Sequence, residues 1–146
     1  MKKYLVILLC FISSVFCFAE DFKGFLNIPF GTPAESVKRQ MISKGYKPLI
    51  DDSMFALYSS ITYGGKKVSA QFDCSEGYLC QIDIFFNSNT DAKDIYEALV
   101  KKYNLIKSKD SNLHLTKDSS TVFELDNTTL TILTTESFST VDFSDL

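Results

Sequence analysis

A chain of 146 residues with a formal net charge of −3 and 23% charged residues is long enough for one domain with a real core. It has no basic block, which weighs against nucleic acid and anionic lipid as partners. Hydrophobic residues make up 45% of it and no tract is low in complexity, so it reads as globular rather than disordered.

Lys2 and Lys3 precede an apolar run from Tyr4 to Phe18, after which Ala19 meets Glu20 and Asp21. A basic start, an apolar stretch and a small residue before a polar switch predict a secretory signal peptide over residues 1–19. The single folded domain is then expected over 20–146, in the periplasm or outside the cell. The apolar run is shorter than the ~18–20 residues that span a bilayer, so no transmembrane segment is expected once the leader is cleaved. Cys17 follows Phe16 rather than a small residue, which argues against a lipoprotein attached there. The leader holds two lysines and no acid, so the remainder is more acidic than the whole. Cys10 and Cys17 leave with it. Cys74 and Cys80 remain, an even pair in an oxidising compartment, and a disulfide between them is expected.

Residues 22–31 read as an extended entry segment ending at Pro29-Phe30-Gly31. A helix is predicted over 33–44. Thr32 stands at its N-cap, Pro33 at the first position and Glu35 where a capping box needs it. Ala34, Val37 and Met41 form its apolar stripe, and Gly45 is the natural stop. Phe55, Leu57, Ser59, Ile61 and Tyr63 alternate as a strand, and Gly64-Gly65 predicts a two-residue hairpin turn. That turn sets Ile61 against Val68, Ser59 against Ala70 and Leu57 against Phe72. A third run from Leu79 to Phe86 follows a loop of Glu76, Gly77 and Tyr78. Its register sets Phe72 against Ile82, Ala70 against Ile84, Val68 against Phe86 and Cys74 against Cys80. The hydrophobic register and the cysteine register agree.

A second helix starts with Thr90 as cap and carries Ala92, Ile95, Tyr96, Leu99, Val100 and Tyr103 at helical spacing. Asn104 can close it. Three further strands are expected at Leu113–Thr116, Thr121–Leu125 and Leu130–Thr134. An Asp126-Asn127 turn would set Phe123 against Leu130 and Thr121 against Ile132. Leu113 and Leu115 would share that inward face, so His114 would point to solvent. The tail from Phe138 to Leu146 is expected as a short edge or a frayed end. The two helices match at a constant offset, which suggests a duplicated αβββ unit over 22–88 and 89–146. The fold class expected is α+β, two layers, an antiparallel sheet with two helices packed on one face.

The stretch from Ile28 to Val37, Ile-Pro-Phe-Gly-Thr-Pro-Ala-Glu-Ser-Val, resembles the first helix start of many small exported bacterial proteins. The helix-plus-meander order also resembles the tandem units of the beta-lactamase-inhibitor-protein fold and, more loosely, BamE-like lipoproteins. That resemblance implies a scaffold used for protein binding and transfers no functional residue.

No motif assigns catalytic residues, a cofactor site or a metal site. His114 is the only histidine, and a zinc set built from it with Cys74 and Cys80 is one ligand short. The spacing of those cysteines in a hairpin favours a staple over a redox pair. Asp51-Asp52 fall in a loop, and Asp91 and Asp94 suit the dipole of a helix start. No calcium loop or phosphate cradle is present. Two aromatics lack a clear core role, Tyr78 at a hairpin tip and Phe85 on the polar side of its strand; they are the candidate interface. The expected function is a non-enzymatic binding module with an envelope or extracellular protein partner. A carrier with a small ligand between helices and sheet is the alternative. A carboxylate-based envelope hydrolase is the third reading, and it requires an Asp/Glu pair converging in one pocket.

Overall fold

The computed structural model describes residues 20–109 and 111–136. The expected leader and the tail from Phe138 lie outside the described residues. Helix α1 (Ala34–Ser43) is followed by strands β1 (Pro48–Asp51), β2 (Phe55–Tyr63), β3 (Lys66–Asp73) and β4 (Gln81–Phe86). Helix α2 (Asn89–Lys102) is followed by β5 (Ile106–Lys107), β6 (His114–Leu115), β7 (Thr121–Asp126) and β8 (Thr129–Thr134). No described helix is long and apolar enough to cross a membrane.

The strands form one eight-stranded sheet in the order β1-β2-β3-β4-β8-β7-β6-β5, antiparallel at every pairing. Both helices pack on one face, so the molecule is the two-layer α+β domain expected. The order reads the same from either edge, since among the described residues each helix is followed by four strands rather than the three expected, with β1 and β5 added at the edges. This symmetry belongs to element order; it does not make the two halves duplicates.

Alternation places the core. Val68, Ala70, Phe72, Ile82, Ile84, Leu130, Ile132 and Phe123 point to the helix side and are buried with Val37 and Met41 of α1 and Ala92, Ile95 and Leu99 of α2. The Gly64-Gly65 turn forms with φ of 56° and 77°, the paired left-handed conformation that a tight hairpin requires. The β3–β4 register is as predicted, from Val68 opposite Phe86 to Phe72 opposite Ile82.

Several local expectations are corrected. Beyond Ile61–Val68 the β2–β3 register slips, because Ser59 and Ser60 together oppose Ser69 and Ser60 sits at φ 56°. This bulge exchanges faces, so Ala56 and Tyr58 are buried instead of Leu57. The β7–β8 turn is centred on Asn127-Thr128, and Phe123 opposes Ile132 rather than Leu130. Asn127 tolerates the left-handed backbone (φ 51°) that the first loop position takes here. The shift preserves the alternation of faces, so hydrophobic pattern alone does not separate the two registers.

The entry segment is not extended. Leu26 and Asn27 turn sharply at φ 52° and 60°, and Phe25 and Ile28 bridge across them, both fully buried. The capping box does not form either. Pro33 is the residue before α1, with extended ψ of 142°, and no side chain caps the helix. The Thr32 hydroxyl instead donates to the Pro29 carbonyl at 2.7 Å, closing the preceding turn.

Cys74 and Cys80 flank the last β3–β4 pair, Asp73 opposite Gln81. Here both are free thiols, and Cys80 Sγ donates to the Asp73 carbonyl at 3.4 Å. Burial, with smaller contributions from Cys80 and Asp73, pushes the Cys74 thiol up to about 11. The loop between them is drawn toward the entry segment by a Pro33–Tyr78 bridge and by Leu79 N–H donating to the Thr32 carbonyl at 2.9 Å.

Candidate functional site

Helix α2 is fixed at its start by Ser88, not Thr90. The Ser88 hydroxyl accepts from the Asp91 N–H at 3.1 Å. Asp91 in the first turn and Lys101 and Lys102 in the last complement the helix dipole. Ala92, Ile95 and Leu99 face the core. A second stripe, Lys93, Tyr96 and Val100, runs along the flank of the helix toward β6 and β7, at the i, i+3, i+7 spacing of one helical face.

Between that flank and the sheet lies a groove of about 600 Å³. Tyr96, Val100 and Leu125 give it apolar walls, and His114 enters from β6. Lys93, Glu97 and Lys101 line its outer side on α2, with Asn89 and Asn127 at one end. The volume lies in the range of small-molecule sites, and so does the mixture of apolar wall with a few convergent polar groups.

His114 corrects the sequence reading. β6 pairs His114 with Phe123 and Leu115 with Val122, so the imidazole shares the helix face and Leu115 does not. The tyrosine hydroxyl lies 2.7 Å from His114 Nδ1 and donates to the Phe123 carbonyl at 3.2 Å. The rings meet edge to face with centroids 5.3 Å apart. Burial, and then the Glu124 carboxylate, pushes the Tyr96 hydroxyl up to about 12, so it stays protonated at neutral pH. Burial and the Lys107 ammonium hold His114 below the ordinary imidazole value. The pair is therefore a neutral hydrogen-bonding device in the groove.

The other sequence candidates are elsewhere. Tyr78 is half-buried against Pro33, while Phe85 lies near the far end of β4 on the open face of the sheet, 37% exposed. The structure does not bring them into one patch. Asp51 is ion-paired with Lys38, and Asp52 accepts from the Met54 N–H at 3.0 Å. Asp91 is ion-paired with Lys66 at 2.9 Å. A carboxylate pair does converge, Asp73 with Asp83, but on the open sheet face and held by Gln71, Gln81 and Thr131 rather than in the groove. Among the described residues no set of three His, Cys, Asp or Glu side chains is placed to hold a metal.

No family model matches the chain, and no curated protein or solved structure matches it. The site therefore rests on its own geometry.

Helical spacing puts Tyr96 in an apolar stripe and strand alternation points His114 to solvent, so their meeting is not evident from the sequence. The available signal was that Tyr96 and Val100 stand one position off the Ile95–Leu99 line, which gives α2 two apolar stripes where one core needs only one.

Proposed function

We propose that this chain is an exported, non-enzymatic binding protein that holds a small molecule in the groove between α2 and the sheet. The observation that carries this reading is the groove itself: apolar walls of a size suited to a small ligand, with the neutral Tyr96–His114 pair aimed into it. Neither member is an activated nucleophile, and among the described residues Glu97 is the single groove carboxylate, without the second acid that glycoside hydrolysis uses. Native mass spectrometry of the protein taken from its own cells is expected to show a bound small molecule. Val100→Trp, which fills the groove from a half-buried position, should remove it. A protein that carries no ligand, or one that keeps it in Val100→Trp, overturns the assignment.

A second reading has its own support. Leu49 and Ile50 on β1 and Met54 in the turn after it are large apolar residues 64%, 47% and 62% exposed at the β1 edge of the sheet. Apolar residues left at a sheet edge suit a protein partner better than Tyr78 and Phe85 do. Cross-linking in intact cells with the wild type and with Leu49→Glu/Met54→Glu tests it; equal partner capture by both sinks it.

Export also places the thiols in an oxidising compartment, where we propose that Cys74 and Cys80 bridge. With glutathione disulfide as oxidant, two thiols pass two electrons and two protons to it and release two glutathione molecules. The intact mass should fall by two hydrogens, and stability should rise by about 2 kcal/mol in the chain-entropy model. A mass unchanged after oxidation of the unfolded and refolded chain rejects the bridge.

A further inference from the structure

We infer that the α2 groove takes an amphipathic carboxylate, its apolar body against Val100 and Leu125 and its head between Lys101 and His114, and that binding adds a proton to His114. This rests on the reading of the groove as a ligand site.

The protons assign the imidazole first. Tyr96 has one hydroxyl hydrogen and two neighbours, the Phe123 carbonyl at 3.2 Å and His114 Nδ1 at 2.7 Å. A carbonyl can only accept. Both contacts are satisfied only if Tyr96 donates to the carbonyl and His114 Nδ1–H donates to Tyr96 Oη. The pattern therefore fixes the Nδ1–H tautomer and leaves Nε2 as the ring nitrogen open to a ligand.

Charge then selects the ligand. Among the described residues the groove is lined by two ammonium groups and one carboxylate. Lys93 lies 3.9 Å from Glu97 on the next turn and is compensated by it. Lys101 has no ion pair among the described residues. An anion answers Lys101, and its second oxygen accepts from Nε2 once that nitrogen is protonated. A cationic ligand would meet Lys101 unfavourably, and a neutral alcohol would gain only one hydrogen bond to Nε2.

The groups around His114 set the pH dependence. Lys93, Tyr96, Glu97 and Lys101 come from α2, Lys107 from β5 and Glu124 from β7. Burial and Lys107 hold the imidazole below its ordinary value of 6.5. A bound carboxylate favours the charged form and raises that value, so ligand and proton bind together. Affinity therefore rises as pH falls through the bound-state value and levels off below the free-state one.

The test titrates the protein with 4-phenylbutyrate, 4-phenylbutan-1-ol and 4-phenylbutylamine, which share one apolar skeleton, by calorimetry and by NMR. The acid should perturb Tyr96, Val100 and Leu125 and bind roughly tenfold tighter near pH 5.5 than near pH 8, one pKa unit being a factor of ten. The alcohol should bind more weakly without a pH slope, and the amine not at all. His114→Gln should flatten the acid's slope. Lys101→Gln, at an exposed position where folding is not at stake, should weaken the acid at every pH and leave the alcohol unchanged. An alcohol that binds the groove as tightly as the acid, or an acid without a pH slope, overturns the ligand class and leaves the groove as a site. If none of the three perturbs those residues, the groove reading falls with it.

Discussion

Tyr58 and Tyr96 show how one hydroxyl can act with opposite sign. Tyr58 is fully buried on β2, and its hydroxyl has no hydrogen-bond partner among the described residues. Burying an unpaired hydroxyl is unfavourable, so Tyr58→Phe should raise stability by about 1 kcal/mol. Tyr96 serves both His114 Nδ1 and the Phe123 carbonyl, so Tyr96→Phe should lower stability by about 1–2 kcal/mol. Urea denaturation of both variants reads the difference, and equal shifts would contradict the assignment. Asp73 adds a pH-dependent case on the open sheet face. Burial, with a further contribution from Asp83, raises its carboxyl above the ordinary 3.8 despite the Gln71 hydrogen bond. A raised acid holds its proton more tightly in the folded state. The penalty is thus absent below the unfolded value and grows as pH rises through the folded one. Asp73→Asn removes it and lets an amide face Asp83. The variant should gain roughly 0.5–1 kcal/mol at neutral pH, in the range of cross-strand pairs, and lose that gain below about pH 3.8. A gain independent of pH would mean that packing, not charge, is responsible.

Two helix starts make the same contrast for whole elements. Ser88 accepts the Asp91 N–H and caps α2, whereas Thr32 closes a turn before α1 and caps nothing. Ser88→Ala should therefore cost about 1 kcal/mol and Thr32→Ala less, as thermal unfolding of the two would show. Residue order alone favoured Thr32, because Thr-Pro-Ala-Glu fits a capping box and the pull of the Pro29 turn on its hydroxyl is not written in that pattern. The β3–β4 pairing was legible because alternation runs unbroken from Val68 to Phe72 and from Ile82 to Phe86. The β2–β3 pairing was legible only up to Ile61, since a bulge at Ser59-Ser60 exchanges the faces of everything before it. The candidate site was hidden for a related reason. β6 has two residues, and its partner β7 carries Val122 and Phe123 side by side, both buried. With apolar residues on both faces, alternation cannot say which way His114 points. Leu115, Val122 and Leu133 stand in register on the outer face, where they form a small apolar strip of their own.

At the scale of the molecule, the sheet is two four-stranded halves joined along β4 and β8. The joint pairs Ile82 with Ile132 and Ile84 with Leu130, and all four side chains are fully buried. The entry segment crosses the same line. Phe25 packs 4.7 Å from Tyr63 and 5.8 Å from Phe72 in the first half, while Phe22 packs 5.3 Å from Tyr103 and 5.1 Å from Phe123 in the second. Separating the halves would expose that buried row and both ends of the aromatic strap, so neither half keeps a closed core without the other. The symmetric element order thus describes one cooperative unit rather than two stable ones. Urea unfolding followed by amide NMR signals should lose β2 and β7 at one midpoint. Ile132→Ala, at the joint, should cost about 2–5 kcal/mol and move both midpoints together. If β7 melts before β2 in the wild type, or if Ile132→Ala shifts β7 alone, the halves are independent and the joint is only a contact between them.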